Sequence, residues 1–209
     1  MNWKRLETIE WRRQLSRLLF LALFFFAGIL LGQVFSGWVP DATGDELARY
    51  LTGFLELEGP EPPRTALSAA VLYFRYPLAA FLLGFASIGI LLLPLTAGAF
   101  GFSLSFSVCC FTAAFGADGV LLALAVFGLR CAVTLPGYFL LAVPAWGTSA
   151  ALASLSFGRG RRAAPVVYGR GCWIRFGAVM ASLLAGMCAD LFLSPWLLHL
   201  VLERILGAV

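Results

Sequence analysis

Long apolar runs, separated by short polar or basic interruptions, set the pattern of this chain. The first extends from Leu18 to Val39, after a polar and basic opening at 1–17. A second, from Pro77 to Phe157, is nearly unbroken, punctuated by Pro94, Gly98-Ala99-Phe100-Gly101, Gly116-Ala117-Asp118-Gly119, Arg130 and Pro136. A third runs from Cys172 to Leu193. A helix crosses a bilayer with about 20 apolar residues at ~1.5 Å each, so these runs predict membrane spans. Span 1 is placed at 18–39, span 2 at 78–97, span 3 at 98–116, span 4 at 135–155 and span 5 at 172–193. The stretch Val120–Leu129 is too short to cross, since ten residues make about 15 Å of helix. It reads as a re-entrant half-helix, a form tolerated only where protein buries its broken backbone. The predicted fold class is therefore all-α: a polytopic integral membrane protein of about five transmembrane helices, with a re-entrant half-helix and an outer amphipathic helix.

The amphipathic helix belongs to the one sizeable polar insertion, 40–76, which carries Asp41, Asp45, Glu46, Glu56, Glu58 and Glu61 against Arg49, Arg64 and Arg75. Thr43-Gly44-Asp45-Glu46 has the form of a capping box. Leu47, Leu51, Phe54 and Leu55 then fall on one helical face, and Gly59-Pro60-Glu61-Pro62-Pro63 stops the helix. Such a face rests on the bilayer surface or docks another protein.

Charge placement predicts the orientation. Lys4, Arg5, Arg12, Arg13 and Arg17 precede span 1, and Ser156–Arg175 contains Arg159, Arg161, Arg162, Arg170 and Arg175 with no acid. The positive-inside rule puts both segments in the cytoplasm, 1–17 as a basic N-terminus and 156–171 as a basic loop, and the acidic insertion outside. An odd number of crossings must separate insertion from loop, which three spans and one re-entrant piece satisfy. Span 5 returns outside, and 194–209, with His199, Glu203 and Arg204, reads as an outer interfacial segment. The basic leader and the weak cleavage candidate Val34-Phe35-Ser36 favour an uncleaved first span over a signal peptide.

Composition agrees with this class. The 209 residues are 61% hydrophobic and 12% charged, with a mean hydropathy of +0.90, too little polar surface for a large soluble domain. The net charge of +4 needs no nucleic acid, because the basic clusters serve topology and anionic lipid. Five cysteines without a Cys-x-x-Cys pair, and the single His199, offer no metal-ligand set. Ser103, in Gly101-Phe102-Ser103, has no base at hand for nucleophilic catalysis. Nucleotide-binding and metalloprotease motifs are absent. The expectation is a non-enzymatic protein without a cofactor.

Two small-residue patterns predict close helix packing: Gly28 and Gly32 in span 1, and Gly177, Ala181, Ala185 and Ala189 at four-residue spacing in span 5. Partners within the chain are expected before a second subunit. Asp118 and Arg130 are the only charges between Tyr76 and Arg159, and an intramembrane charge is by default a functional candidate. Arg130 either anchors the structure, by snorkelling or by binding free carbonyls at the half-helix C-terminus, or lines a substrate or ion pathway.

The middle of the chain resembles the stage II sporulation protein M family of endospore-forming bacteria. The resemblance lies in Phe81-Leu82-Leu83-Gly84-Phe85-Ala86-Ser87-Ile88-Gly89-Ile90, then Pro94, then Gly101-Phe102-Ser103-Leu104-Ser105-Phe106-Ser107-Val108. It continues through Phe115-Gly116 with Gly119, Val120–Leu129, Pro136 and the ending Ser154-Leu155-Ser156-Phe157. The chain departs from that pattern at Leu129-Arg130-Cys131 and at Ser105. The resemblance implies that Gly84, Gly89, Pro94, Gly101, Phe102, Gly116, Gly119, Arg130 and Pro136 shape turns and the break. It implies a membrane scaffold that binds two peptidoglycan hydrolases, a lytic transglycosylase and an amidase/endopeptidase, and holds them at the septal and engulfing membrane. Leu47, Leu51, Phe54 and Leu55 are then the candidate contacts. The other reading is a small transporter or channel-like protein built around Arg130 and the re-entrant segment.

Overall fold

The computed structural model describes residues 3–38, 62–116, 118–156 and 169–206. Five helices account for nearly all of these: α1 (Trp3–Ser36), α2 (Pro62–Leu83), α3 (Gly89–Phe115), α4 (Asp118–Ser156) and α5 (Arg170–Leu206). Four hold segments long and apolar enough to cross a membrane, namely Trp11–Ser36, Gly89–Ala113, Phe127–Ser156 and Arg170–Leu193. The apolar part of α2 is shorter, Ala70–Leu83, yet α2 runs along α5 from Tyr73 near Gly186 to Phe81 stacked on Phe176. The chain is thus an all-helical membrane bundle in which successive helices alternate in direction. As a result, the starts of α1 and α5, each beside a basic segment of the sequence, share one end with the α2–α3 turn and the end of α4.

The tightest seam joins α1 to α3, which run parallel. A Cβ on Gly28 would overlap the Gly98 carbonyl, and one on Gly101 would overlap the Phe25 carbonyl. A Cβ on Gly32 would lie 2.8 Å from the Phe102 carbonyl oxygen. Bare backbone on both helices is what permits this approach, where lipid supplies no hydrophobic drive to hold helices together. Around the seam, Leu21, Phe25, Leu93, Ala97 and Phe100 are buried with Tyr138 and Leu141 of α4.

The structure moves several expected boundaries. Gly98, Gly101 and Phe102 do not make a turn between two spans; they lie inside α3, where the glycines serve the approach to α1. Pro94 is also interior to α3. The turn falls instead at 84–88, with Gly84 opening it and Gly89 beginning α3. Residues 62–76, expected in the outer insertion, form the first part of α2. Stretches 120–129 and 135–155 are one 39-residue helix, α4, with no break at Arg130 or Pro136. A proline removes a single backbone donor, and here packed neighbours hold the helix straight through: Gly137 sits against Val179 and Leu183 of α5. The last span likewise continues through Pro195 to Leu206 instead of ending in a separate segment. Gly116, at φ +61°, ends α3 in a conformation that only glycine adopts readily, and Gly119 packs on the Phe111 carbonyl.

The α2–α3 turn leaves helix-end carbonyls that need donors. Two hydroxyls of α4 supply them: Ser149 Oγ donates to the Leu83 carbonyl at 2.7 Å and Thr148 Oγ1 to the Gly84 carbonyl at 2.9 Å. Ser149 is fully buried. The Leu83 carbonyl also accepts from the Ala86 amide at 3.2 Å, so Ser149→Ala should lower stability by about 0.5–1.5 kcal/mol, the net worth of one hydrogen bond; denaturant unfolding in detergent checks it, and an unchanged midpoint would refute the capping role.

Candidate functional site

The charge that stands out in the sequence, Arg130, sits on α4 facing α2 and α5. Its Nη2 donates to Asp190 Oδ2 of α5 at 3.2 Å, an ion pair linking residues 60 apart in sequence. Only 19% of the arginine side chain and 5% of the aspartate side chain are exposed. The guanidinium carbon lies 5.5 Å from the Tyr73 ring centroid of α2, within range of a cation–π contact. Tyr73 is itself fully buried and donates its hydroxyl to the Gly186 carbonyl at 3.2 Å. Thr134 Oγ1 donates to the Arg130 carbonyl at 2.8 Å, one turn along α4. Three helices therefore meet at one polar node.

The node lies toward the end of the bundle away from the basic segments, with the apolar stretch 120–129 preceding Arg130 on the same helix. Arg130 is paired inward. The structure thus replaces both structural expectations for this residue: it neither snorkels nor binds the end of a half-helix. Arg130 Nε and Asp190 Oδ1 are buried without a hydrogen-bond partner among the described residues, so the pair uses one prong of each fork.

A second polar cluster lines the α2–α3–α4 contact. Tyr138 OH donates to the Leu93 carbonyl at 3.0 Å and lies 3.0 Å from Thr96 Oγ1, beside Pro94. Ser103 Oγ, the candidate nucleophile of the sequence, lies 2.9 Å from Tyr76 OH, and Tyr76 stacks on Phe100 at 4.5 Å between centroids. These hydroxyls tie helices together; no carboxylate or imidazole joins them among the described residues.

Gly28 and Gly32 face α3, as described above. The expected stripe on α5 does not face another helix among the described residues. Gly177, Ala181, Ala185 and Ala189 all lie on the outer surface of the bundle, and a Cβ on Gly177 would meet nothing within 4 Å. The packed face of α5 is Val179, Leu183, Gly186 and Asp190, all buried, with Gly186 against Val133. Leu47, Leu51, Phe54 and Leu55, and most of the basic loop, lie outside the described residues. Among the described residues no three metal-ligating side chains gather, and the five cysteines are unpaired. The chain matches no known family model, no curated protein and no solved structure.

Proposed function

We propose that this chain is a non-catalytic membrane scaffold that recruits peptidoglycan-degrading enzymes, a lytic transglycosylase and an amidase/endopeptidase, to the septal and engulfing membrane during endospore formation. The choice of partners rests on the resemblance of Phe81–Phe157 to the stage II sporulation protein M family. The observation that carries a scaffold over a transporter is the Arg130–Asp190 pair. A transport pathway would be built on Arg130, and that charge is neutralised by a helix of the same chain while Tyr73 closes over it. Such a node fixes the angles of α2, α4 and α5, which suits a rigid platform. Transport keeps one point in its favour, Arg130 Nε and Asp190 Oδ1, which have no hydrogen-bond partner among the described residues.

The orientation follows from charge. Both basic segments adjoin one end of the bundle, and the positive-inside rule supports a cytoplasmic position for that end. The acidic insertion then faces the wall side, where hydrolases act, and its Leu47, Leu51, Phe54 and Leu55 face is the proposed contact. Tethering an enzyme at the membrane raises its effective concentration at the wall without any bond-making by the tether.

Co-purification in mild detergent from engulfing cells tests this. The tagged chain should bring down peptidoglycan hydrolases, and a chain lacking Thr43–Leu57 should bring down far less while remaining monodisperse. Equal recovery with and without that segment would contradict the assigned contact, and no hydrolase with either chain would contradict the function.

A further inference from the structure

A cavity of about 250 Å³ opens between α2, α4 and α5 at the basic end of the bundle. Its walls are Phe81 and Phe85 at the α2 turn and Leu141 and Pro144 of α4, with Cys172 and Arg175 of α5 toward its mouth. Thr148 also borders it, but its hydroxyl is held by the Gly84 and Ala145 carbonyls. The lining is thus apolar, with one cation. Arg175 is exposed and pairs with no carboxylate among the described residues. The sequence contains no acid between Asp118 and Asp190, so α4 from Gly119 onward, the loop and the first half of α5 carry arginine alone. Among the described residues, added Cβ atoms on Gly169 and Gly171 would meet nothing within 4 Å.

We propose that this cavity binds one anionic phospholipid, with part of an acyl chain between Phe81, Phe85, Leu141 and Pro144 and the phosphate on Arg175. The cavity is smaller than the roughly 300–1,000 Å³ of sites for drug-sized solutes, and it opens at the edge of an apolar zone where acyl chains are the available filling. An apolar slot with a cation at its rim matches the two ends of such a lipid. A neutral phospholipid offers the same chain without the net negative charge, and free phosphate offers the charge without the chain. The site is independent of the scaffold reading, since it needs only a membrane and the described helices.

Native mass spectrometry of the full chain tests it, after equilibration with vesicles of phosphatidylglycerol, of phosphatidylcholine, or of phosphatidylglycerol with inorganic phosphate. The parent should retain one phosphatidylglycerol in preference to phosphatidylcholine. Arg175→Gln should lower that retention about fivefold, as expected for one basic residue near anionic lipid. Gly171→Leu, which adds bulk at a lining position where a Cβ meets no described atom, should remove it, and both variants should melt like the parent because both positions are exposed. Equal retention of the two lipids, undiminished retention by both variants, or displacement of phosphatidylglycerol by phosphate alone would overturn the proposal.

Discussion

Arg130→Gln should destabilise the bundle by about 3–5 kcal/mol, because removing one partner of a buried pair leaves the other charge uncompensated. Here the stranded group is Asp190, whose side chain is only 5% exposed and whose Oδ1 has no partner among the described residues to take up the load. Asp190→Asn should cost a similar amount by stranding the guanidinium. The pair itself is worth much less than either loss, since a buried ion pair replaced by well-packed apolar groups is often neutral or stabilising. Arg130→Leu combined with Asp190→Leu should therefore recover most of the stability lost in either single variant. Denaturant unfolding in detergent of the four proteins closes the cycle. Additive losses in the double variant would mean that Arg130 and Asp190 do not act as a pair.

The second large effect lies in the α1–α3 seam. Gly28→Ala and Gly101→Ala each force a methyl group into the backbone of the opposing helix, at the Gly98 and Phe25 carbonyls. Backbone cannot rotate aside as a flexible side chain does, so each change should cost about 1–3 kcal/mol as an overpacked contact. Gly177→Ala is the contrast. It meets open space, and alanine is preferred over glycine in a helix by roughly 0.5–1 kcal/mol, so stability should hold or rise slightly. Melting in detergent separates the cases; a loss at Gly177 as large as that at Gly28 would mean that the α5 stripe packs against a second copy.

The membrane class was legible because it depends on run length and hydropathy, which need no tertiary information. Breaks were harder to place. Glycine at 98 and 101 looks the same in sequence whether it bends a chain or lets another helix approach, and the partner that decides between these lies some 70 residues upstream. Proline misled in the same way at Pro136, where the helix continues with the next residue, Gly137, against Val179 and Leu183 although local propensity would end it. On α5 the regular Gly177–Ala189 spacing drew attention from the buried face, which is offset from it by one or two positions and mixes Val179, Leu183 and Gly186 with a charge.

Asp190 was the functional residue that sequence reasoning missed, and a signal for it existed. Arg130 lies 26 residues before the end of α4 and Asp190 20 residues after the start of α5, so in two antiparallel neighbours they reach similar depth. A lone cation and a lone anion at matching depth on consecutive helices predict a pair. Tyr73 could not be found this way, because a tyrosine near a span end is equally at home at the membrane interface. The α4–α5 pairing carries most of the argument about function, since it turns the strongest candidate for a transport pathway into a clamp.

The central claim is that this clamp serves a platform for wall hydrolases. Imaging fluorescent hydrolases in engulfing cells that lack the chain, carry the parent, or carry the charge-free Arg130→Leu/Asp190→Leu variant tests it most directly. The account predicts hydrolases dispersed without the chain and concentrated at the septal membrane equally by the parent and the charge-free variant. Hydrolases that reach the septum without the chain, or that fail to do so with a stably folded charge-free variant, would contradict it.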